Sequence, residues 1–317
     1  MKSPTQQKKI ILTGGAGLVG QNLLARLLLR GFSNIVVIDK HLKNVATLEK
    51  TFPKATIVMA DLSEHGAWEH HFTDAHHVIM LHAQIGGTNY HDFERNNLIA
   101  TRLILECVEK NNVHHVIHIS SSVVKSKAND YYTNTKKSQE LMVLNKVKCS
   151  SVILRPTLMY GWFDRKHLGW LSRFMGKTPI FPIPGDGKFL RQPLYAGDFC
   201  NIIIKCLENK NIVGVYNISG HEKINYINMI FELKRTINAN TYVCRIPFRL
   251  FYFLLWLWSL FDRTPPFTTQ QLSALCADDE FEIIDWPKIF NVECTSFHEG
   301  LKETFNHPTY SKIELDF

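Results

Sequence analysis

No Cys-x-x-Cys pair occurs in this chain. Its seven cysteines, at 107, 149, 200, 206, 244, 276 and 294, are scattered and odd in number. That excludes a disulfide framework and a zinc ribbon, and it predicts reduced thiols in a cytoplasmic compartment. Long charge runs are also missing: no basic run is longer than a pair such as Lys8-Lys9 or Lys136-Lys137. A net charge of +7 therefore favours a small anionic substrate over nucleic acid. The one long apolar stretch, residues 250–261, covers about a dozen positions where a bilayer span needs about twenty. Repeats and low-complexity tracts are absent, and the polar start, residues 1–9, runs straight into an apolar strand, leaving no room for a signal peptide.

What is present is an ordinary globular composition, 45% hydrophobic and 21% charged, in a chain long enough for one large α/β unit and a smaller lobe. In the first half, short apolar runs alternate with amphipathic segments. This predicts parallel strands at 10–13, 35–38, 56–59, 77–81, 115–119 and 151–154, with helices at 18–30, 97–111 and 132–144. The expected fold is a Rossmann-type doubly wound sheet over residues 1–160, with residues 161–317 forming mainly a substrate-binding lobe. Residues 215–218 read as a strand able to return to the sheet. Past Tyr160 the prolines at 179, 182 and 184 and the glycines at 185 and 187 predict loops and short elements.

Two motifs carry chemistry. The first is Gly14-x-x-Gly17-x-x-Gly20 between a strand and a helix, an arrangement that brings the backbone of Gly17, Leu18, Val19 and Gly20 close to a pyrophosphate at a helix N-terminus. Asp39 ends the second strand about twenty residues on, where a carboxylate takes the ribose hydroxyls and repels a 2′-phosphate. NAD is therefore expected over NADP, with neighbouring Lys40 leaving the second open. Asp61-Leu62 after the third strand is placed for the adenine edge, and His82-Ala83-Gln84 after the fourth passes the cofactor chiefly with its backbone.

The second motif is Tyr132-x-x-x-Lys136 preceded by Ser120-Ser121-Ser122. A free phenol ionises near pH 10, and a lysine four residues along one helix face can bring it toward neutrality. Ser122 would then hydrogen-bond the substrate oxygen or the phenol, so that hydride and proton move on opposite sides of one carbon–oxygen bond. The histidine pairs 70-71, 76-77 and 114-115 have no convergent ligand spacing, and no metal is expected.

With these residues placed, the chain resembles the extended short-chain dehydrogenase/reductase family, within it the NAD-dependent nucleotide-sugar epimerase/dehydratase group. Further matches are Asn97 with Thr101, Glu140, Arg155 with Tyr160-Gly161, and Gly185-Asp186-Gly187 leading to Arg191. The resemblance implies Tyr132 as general acid/base, Lys136 on the nicotinamide ribose, Ser122 orienting the substrate, and Asn97 on the cofactor side. It also implies Arg191 on a substrate diphosphate, where a guanidinium fork suits the anion. The implied reaction is epimerisation, at C4 of a UDP-hexose or UDP-N-acetylhexosamine, through a keto sugar.

Departures from the family pattern keep other outcomes open. Val123 stands where 4,6-dehydratases carry an acid, which argues against water elimination. Leu158 replaces a common asparagine, and Arg155-Pro156-Thr157 leans toward hydroxysteroid-type dehydrogenases, leaving a keto-sugar reductase or such a dehydrogenase as the alternative. A non-catalytic dinucleotide-binding subunit is disfavoured by the intact Ser/Tyr/Lys set. A homodimer through the helices at 97–111 and 132–144 is expected. The apolar segment within 245–263 reads either as a buried, lid or dimer helix or as a peripheral membrane contact.

Overall fold

A computed structural model describes residues 4–261, 269–276 and 281–316. Its centre is a seven-stranded parallel sheet: β1 (Lys9–Thr13), β2 (Ile35–Asp39), β3 (Thr56–Met59), β4 (Ala75–Met80), β5 (His115–Ile119), β6 (Ser150–Pro156) and β7 (Gly214–Ile218). Their spatial order is β7-β6-β5-β4-β1-β2-β3. The sequence direction reverses between β1 and β4, the switch point at which open α/β sheets bind ligands. The strands are near-continuous apolar runs because both faces are covered. Ile10 and Leu12 pack into one core with Leu23, Leu27 and Phe199, while Ile11 faces the other with Val78, Ile104 and Val116.

The helices that cover these faces include α1 (Leu18–Leu29), α2 (Leu42–Thr51), α3 (Ala100–Lys110) and α4 (Tyr131–Lys146). A π-helical turn, Glu94–Ile99, precedes α3. Residues 215–218 do return to the sheet, with Val215 opposite Ile153 and Asn217 opposite Arg155.

The second half is more regular than its prolines and glycines predict. It contains α5 (Leu168–Lys177), α6 (Ala196–Glu208) and α7 (Tyr226–Thr236), each with an apolar stripe that the sequence reading passed over. The breakers cluster between helices, in the strand Ile180–Pro184 and the turn after it. That strand pairs in parallel with Tyr242–Ile246, which leads into α8 (Phe248–Phe261). Then follow α9 (Thr269–Cys276) and α10 (Phe297–Asn306).

Arg26 of α1 ties the sheet to this lobe. Its guanidinium stacks over Trp162 at 3.9 Å, donates to the Tyr195 hydroxyl at 2.9 Å and pairs with Glu303 at 2.8 Å. Such a largely buried cation holds its place because its donors find both a π-face and acceptors.

Candidate functional site

β1 and β4 lie side by side, and the chain leaves Thr13 and Met80 toward opposite helices. Gly14 takes φ +70° and donates its N–H to the Ile38 carbonyl at 2.8 Å. A β-carbon there would collide with the His82 backbone, and one at Gly20 with the Gly15 backbone. Gly17 differs, since the nearest atom to an added β-carbon is the Gly14 carbonyl oxygen at 3.9 Å. The protein itself therefore leaves space over Gly17. Gly17 is also the N-cap of α1, whose first turn receives no side-chain cap, so the N–H groups of Leu18, Val19 and Gly20 have no side chain to satisfy them. A pyrophosphate fits both features.

Asp39 accepts the Ala16 N–H at 2.9 Å and the His41 N–H at 3.0 Å, one on each oxygen, and so pins the glycine turn to the end of β2. Each carboxylate oxygen keeps a second lone pair for a ribose hydroxyl. Lys40 does not stand alone: its ammonium reaches Asp61 at 3.0 Å and the Asn96 side-chain oxygen at 2.6 Å. Asp61 also pairs with Arg95 at 3.0 Å and accepts from the Ser63 N–H and hydroxyl. Burial pushes the Asp61 carboxyl up, but the Ser63 and Lys40 hydrogen bonds outweigh it and hold it down to about 2. Leu62 is buried beneath this network.

His82 is wholly internal, bridging the Thr13 hydroxyl through Nδ1 and the Thr101 hydroxyl through Nε2, both at 2.9 Å. Burial, then the charge of Lys136, drives its pKa down to about 3, so it is a neutral strut. Ala83 follows it. Asn97 is fully buried on the π-helical turn. Its oxygen accepts the Gln84 N–H at 2.6 Å, and its amide donates to the Gln84 carbonyl at 3.2 Å and to Thr135 at 2.9 Å. Asn97 thus fixes the loop after β4 to α4, with its own hydrogen bonds turned to protein.

α4 begins at Tyr131 because Asp130 caps it, accepting from the Thr133 N–H and hydroxyl at 2.8 Å. Tyr132 and Lys136 follow on one face. The Lys136 ammonium is buried and donates to the Ile119 carbonyl at the end of β5 at 2.9 Å. Burial lowers its pKa to about 7, against the opposing charge of Glu140. Glu140 in turn holds Arg155 through a bidentate pair at 2.5 and 2.8 Å.

The Tyr132 phenol differs from expectation in two respects. Its hydrogen bond comes from Ser121, one residue before the predicted serine. Its pKa is raised, because burial, together with the charge of Asp130, outweighs the Ser121 bond, and the Lys136 ammonium is turned to the Ile119 carbonyl. Ser122 opens the short turn Ser122–Lys125 and makes no side-chain hydrogen bond among the described residues, leaving it able to meet a ligand. The triple serine gave a signal for this locus, but only the geometry separates the one that holds the phenol.

Arg191 lies in the lobe, on a two-residue strand paired with Ile224–Asn225. Its guanidinium sits over Phe189 at 5.0 Å and donates to the carbonyls of Leu190 and of Leu275 in α9. Arg95 and Asn96 were not singled out by the sequence reading, since neither spacing nor residue type marks them.

The histidine pairs resolve into packing: His76 stacks on His114 at 4.4 Å and His77 lies 3.3 Å from His115 between ring nitrogens. Among the described residues, no group of three or more metal-binding side chains converges. A groove of about 830 Å³, lined by Leu105, Val108, Glu109, His114, Lys146 and Cys149 among others, opens at the amino-terminal ends of the strands. It holds none of the candidate cofactor or substrate residues, and an open parallel sheet binds at its carboxyl ends.

Comparison with known proteins agrees with this geometry. The model of the NAD dependent epimerase/dehydratase family matches residues 10–219. A trifunctional UDP-glucose 4,6-dehydratase/UDP-4-keto-6-deoxy-D-glucose 3,5-epimerase/UDP-4-keto-L-rhamnose-reductase of Arabidopsis thaliana is 24% identical over 94% of this chain and 46% of its own length. The chain thus spans about half of that relative. An Escherichia coli O157:H7 N-acetyl-alpha-D-glucosaminyl-diphospho-ditrans,octacis-undecaprenol 4-epimerase is 24% identical over 76% of each. Among solved structures, UDP-glucuronic acid 4-epimerase from Bacillus cereus in complex with NAD superposes with a TM-score of 0.73 and 21% identity, covering 94% of this chain and 98% of that one. The family match runs from the first strand of the sheet to the strand that closes it, and the chain belongs to the NAD dependent epimerase/dehydratase family, as an enzyme of the extended short-chain dehydrogenase/reductase type with NAD as its cofactor.

Proposed function

We propose that this enzyme is a 4-epimerase of a hexose carried on a nucleoside diphosphate, a UDP-hexose or UDP-N-acetylhexosamine, acting through a transient keto sugar. The observation that carries the reading is the buried Tyr132–Lys136 face of α4, set under a serine turn at the carboxyl end of the sheet and beside the switch point. NAD, when bound, supplies a hydride acceptor and donor and, in its oxidised form, a positive charge beside the phenol.

The chain supplies the rest. Tyr132 takes the hydroxyl proton of the sugar and later returns it, with Ser121 orienting the phenol and Ser122 bonding the reacting oxygen. Lys136 holds the nicotinamide ribose with the N–H donors that the Ile119 carbonyl leaves over. Gly17, Leu18, Val19 and Gly20 take the pyrophosphate and Asp39 the adenosine ribose, with Lys40 and Asp61-Leu62 shaping the adenine end. The backbone of His82, Ala83 and Gln84, held by Asn97, lines the nicotinamide side. Arg191 takes the substrate diphosphate, exchanging main-chain carbonyls for phosphate oxygens.

Val123, where elimination of water needs an acid, disfavours dehydration. Arg155 is spent on Glu140, so the hydroxysteroid-like Arg155-Pro156-Thr157 gives the reductase alternative no substrate contact. A cytoplasmic homodimer belongs to the same reading: Leu141 and Leu144 of α4 are 58% and 53% exposed, and a second copy of the helix would cover them.

The test is incubation with substoichiometric NAD and separate UDP-hexoses and UDP-N-acetylhexosamines, following ring protons by NMR. A C4 epimer formed without net NADH is expected. Conversion with stoichiometric NADH, or none across the panel, would replace the epimerase with a dehydrogenase or reductase.

A further inference from the structure

α8 has the most exposed apolar surface of any helix described. Among its fourteen residues, Arg249 is the sole charge and Ser259 turns its hydroxyl back onto the Trp256 carbonyl at 2.7 Å. The other twelve are leucine or aromatic, and none is buried. Phe253 is 51% exposed, Trp256 48%, Trp258 53% and Leu260 61%. Successive helical residues are turned by about 100°, so exposed side chains at 252, 253, 254, 256, 257 and 258 spread over about two thirds of the helix circumference, with the half-buried Phe251 and Leu255 on the remaining side.

A surface helix awaiting a protein partner shows one apolar stripe and a polar back. α8 has no polar back, and a second protein surface would cover only part of it. Hydrocarbon surrounds a helix completely. At about 1.5 Å per residue α8 is about 21 Å long, against a hydrocarbon thickness of about 30 Å. Among the described residues no helix is long and apolar enough to cross a membrane.

The charges name the lipid. Between Leu233 and Phe261 the chain carries no acid, and with Arg235 paired to Glu232 at 2.7 Å the charges nearest α8 are Arg245 and Arg249. Arg245 and Arg249 are exposed at its amino-terminal end. Tyr252, Trp256 and Trp258 are the ring types that settle at the headgroup boundary.

We propose that α8 is a monotopic anchor that sinks into one leaflet of an anionic bilayer, with Arg245 and Arg249 at the level of the lipid phosphates. The anchor is built into the substrate lobe. The strand Tyr242–Ile246 that delivers it pairs with Ile180–Pro184, and the Ile246 carbonyl accepts from Gly185 at the turn toward Arg191. α8 packs on α9, whose Leu275 carbonyl receives Arg191. Docking therefore sets Arg191 beside the headgroup layer. That consequence for substrate delivery rests on the proposed role of Arg191, whereas the docking itself does not.

The test is flotation of the full chain with vesicles of phosphatidylcholine alone and of phosphatidylcholine with 30% phosphatidylglycerol, together with tryptophan emission. Wild type should float with the anionic vesicles and shift its emission to the blue. Leu254→Glu with Leu257→Glu, both at exposed sites, should reduce the bound fraction at least 10-fold while NAD-dependent turnover of a soluble substrate stays within 2-fold. Arg245→Gln with Arg249→Gln should reduce it up to about 30-fold, since each basic residue near an anionic surface is worth about 1 kcal/mol. Wild type remaining in the aqueous fraction with both vesicle types would overturn the anchor. So would lipid-free self-association that the double glutamate variant abolishes, which would make α8 a contact between copies. Neither result touches the epimerase reading, and an inactive enzyme that floats would leave the anchor standing.

Discussion

The sheet half and the carboxyl-terminal half of this protein are held together by opposite means. Around the switch point the polar groups are buried and bonded to one another: Asn97 is fully enclosed with its amide satisfied, His82 bridges two hydroxyls, and the Lys136 ammonium lies against a strand carbonyl. The second half carries Arg191 on a two-residue strand, bonded to main-chain carbonyls, and includes a helix, α8, with no buried residue. A fixed framework suits a ligand that never varies. A lobe of short pairings would suit the part of a ligand by which family members differ.

The largest effect that can break this contrast is at the phenol. Tyr132→Phe should lower turnover at least 1,000-fold, in the upper range of general acid–base contributions, and leave NAD affinity within about 3-fold. Turnover retained at wild-type rate would remove Tyr132 from the chemistry. Ser121→Ala and Ser122→Ala sharpen the same point. If Ser121 orients the phenol, its loss shifts the pH profile of kcat, whereas loss of Ser122 lowers kcat without moving the profile.

Next comes the framework itself. Asn97→Ala takes the Asn97 side chain from the Gln84 N–H and carbonyl, while the Thr135 hydroxyl keeps its bond to the Tyr131 carbonyl, and a buried group stripped of its bond costs about 1–3 kcal/mol. Urea unfolding should show a loss of about 2–4 kcal/mol together with weaker NAD binding by calorimetry. In the lobe, Arg191→Ala should raise KM for a diphosphate sugar about 10- to 50-fold, the value of one charge-assisted contact of about 1.5–2.5 kcal/mol, with unfolding nearly unchanged. A KM effect from Asn97 equal to that from Arg191 would erase the distinction between the halves.

The two halves also differ in how much of them can be read from residues alone. β1 to β6 are legible because a parallel strand buried on both faces is an unbroken apolar run, and each run is bounded by glycine, proline or polar residues. The spacing of Tyr132 and Lys136 is legible because a helix turns four residues into one face. Contacts that close across the fold leave no local trace: Asn97 meets Thr135 across 38 positions, and Arg191 meets Leu275 across 84. The lysine was expected to lower the phenol's pKa, but its ammonium is drawn to Ile119, a partner fixed by where β5 ends. The helices α5 to α7 were passed over because glycine and proline punctuate the stretches between them, masking their stripes. Arg263, the far boundary of the apolar segment as read from sequence, lies outside the described residues.

The smallest effect concerns a buried polar cluster that lacks the bonds of the cofactor half. At the amino-terminal ends of β4 and β5, His77 and His115 face each other with their Nε2 atoms unpartnered, beside His76 and His114. Burial, followed by the charges of His76 and His115 and of Lys8, drives the His77 pKa from 6.5 down to about 3. The unfolded chain therefore takes up a proton near pH 6.5 that the folded chain refuses until about pH 3. Stability from this group is complete above pH 6.5 and is lost as the pH falls through that window. At pH 5.5, one unit below the unfolded value, the loss is about 1.4 kcal/mol for a single such histidine. His77→Val discards an unbonded nitrogen together with the titration, so its urea midpoint should fall less than that of wild type between pH 7.5 and 5.5. Parallel curves for the two proteins would mean that His77 is protonated in the folded state, and that the amino-terminal edge of the sheet satisfies its polar groups as fully as the carboxyl edge does.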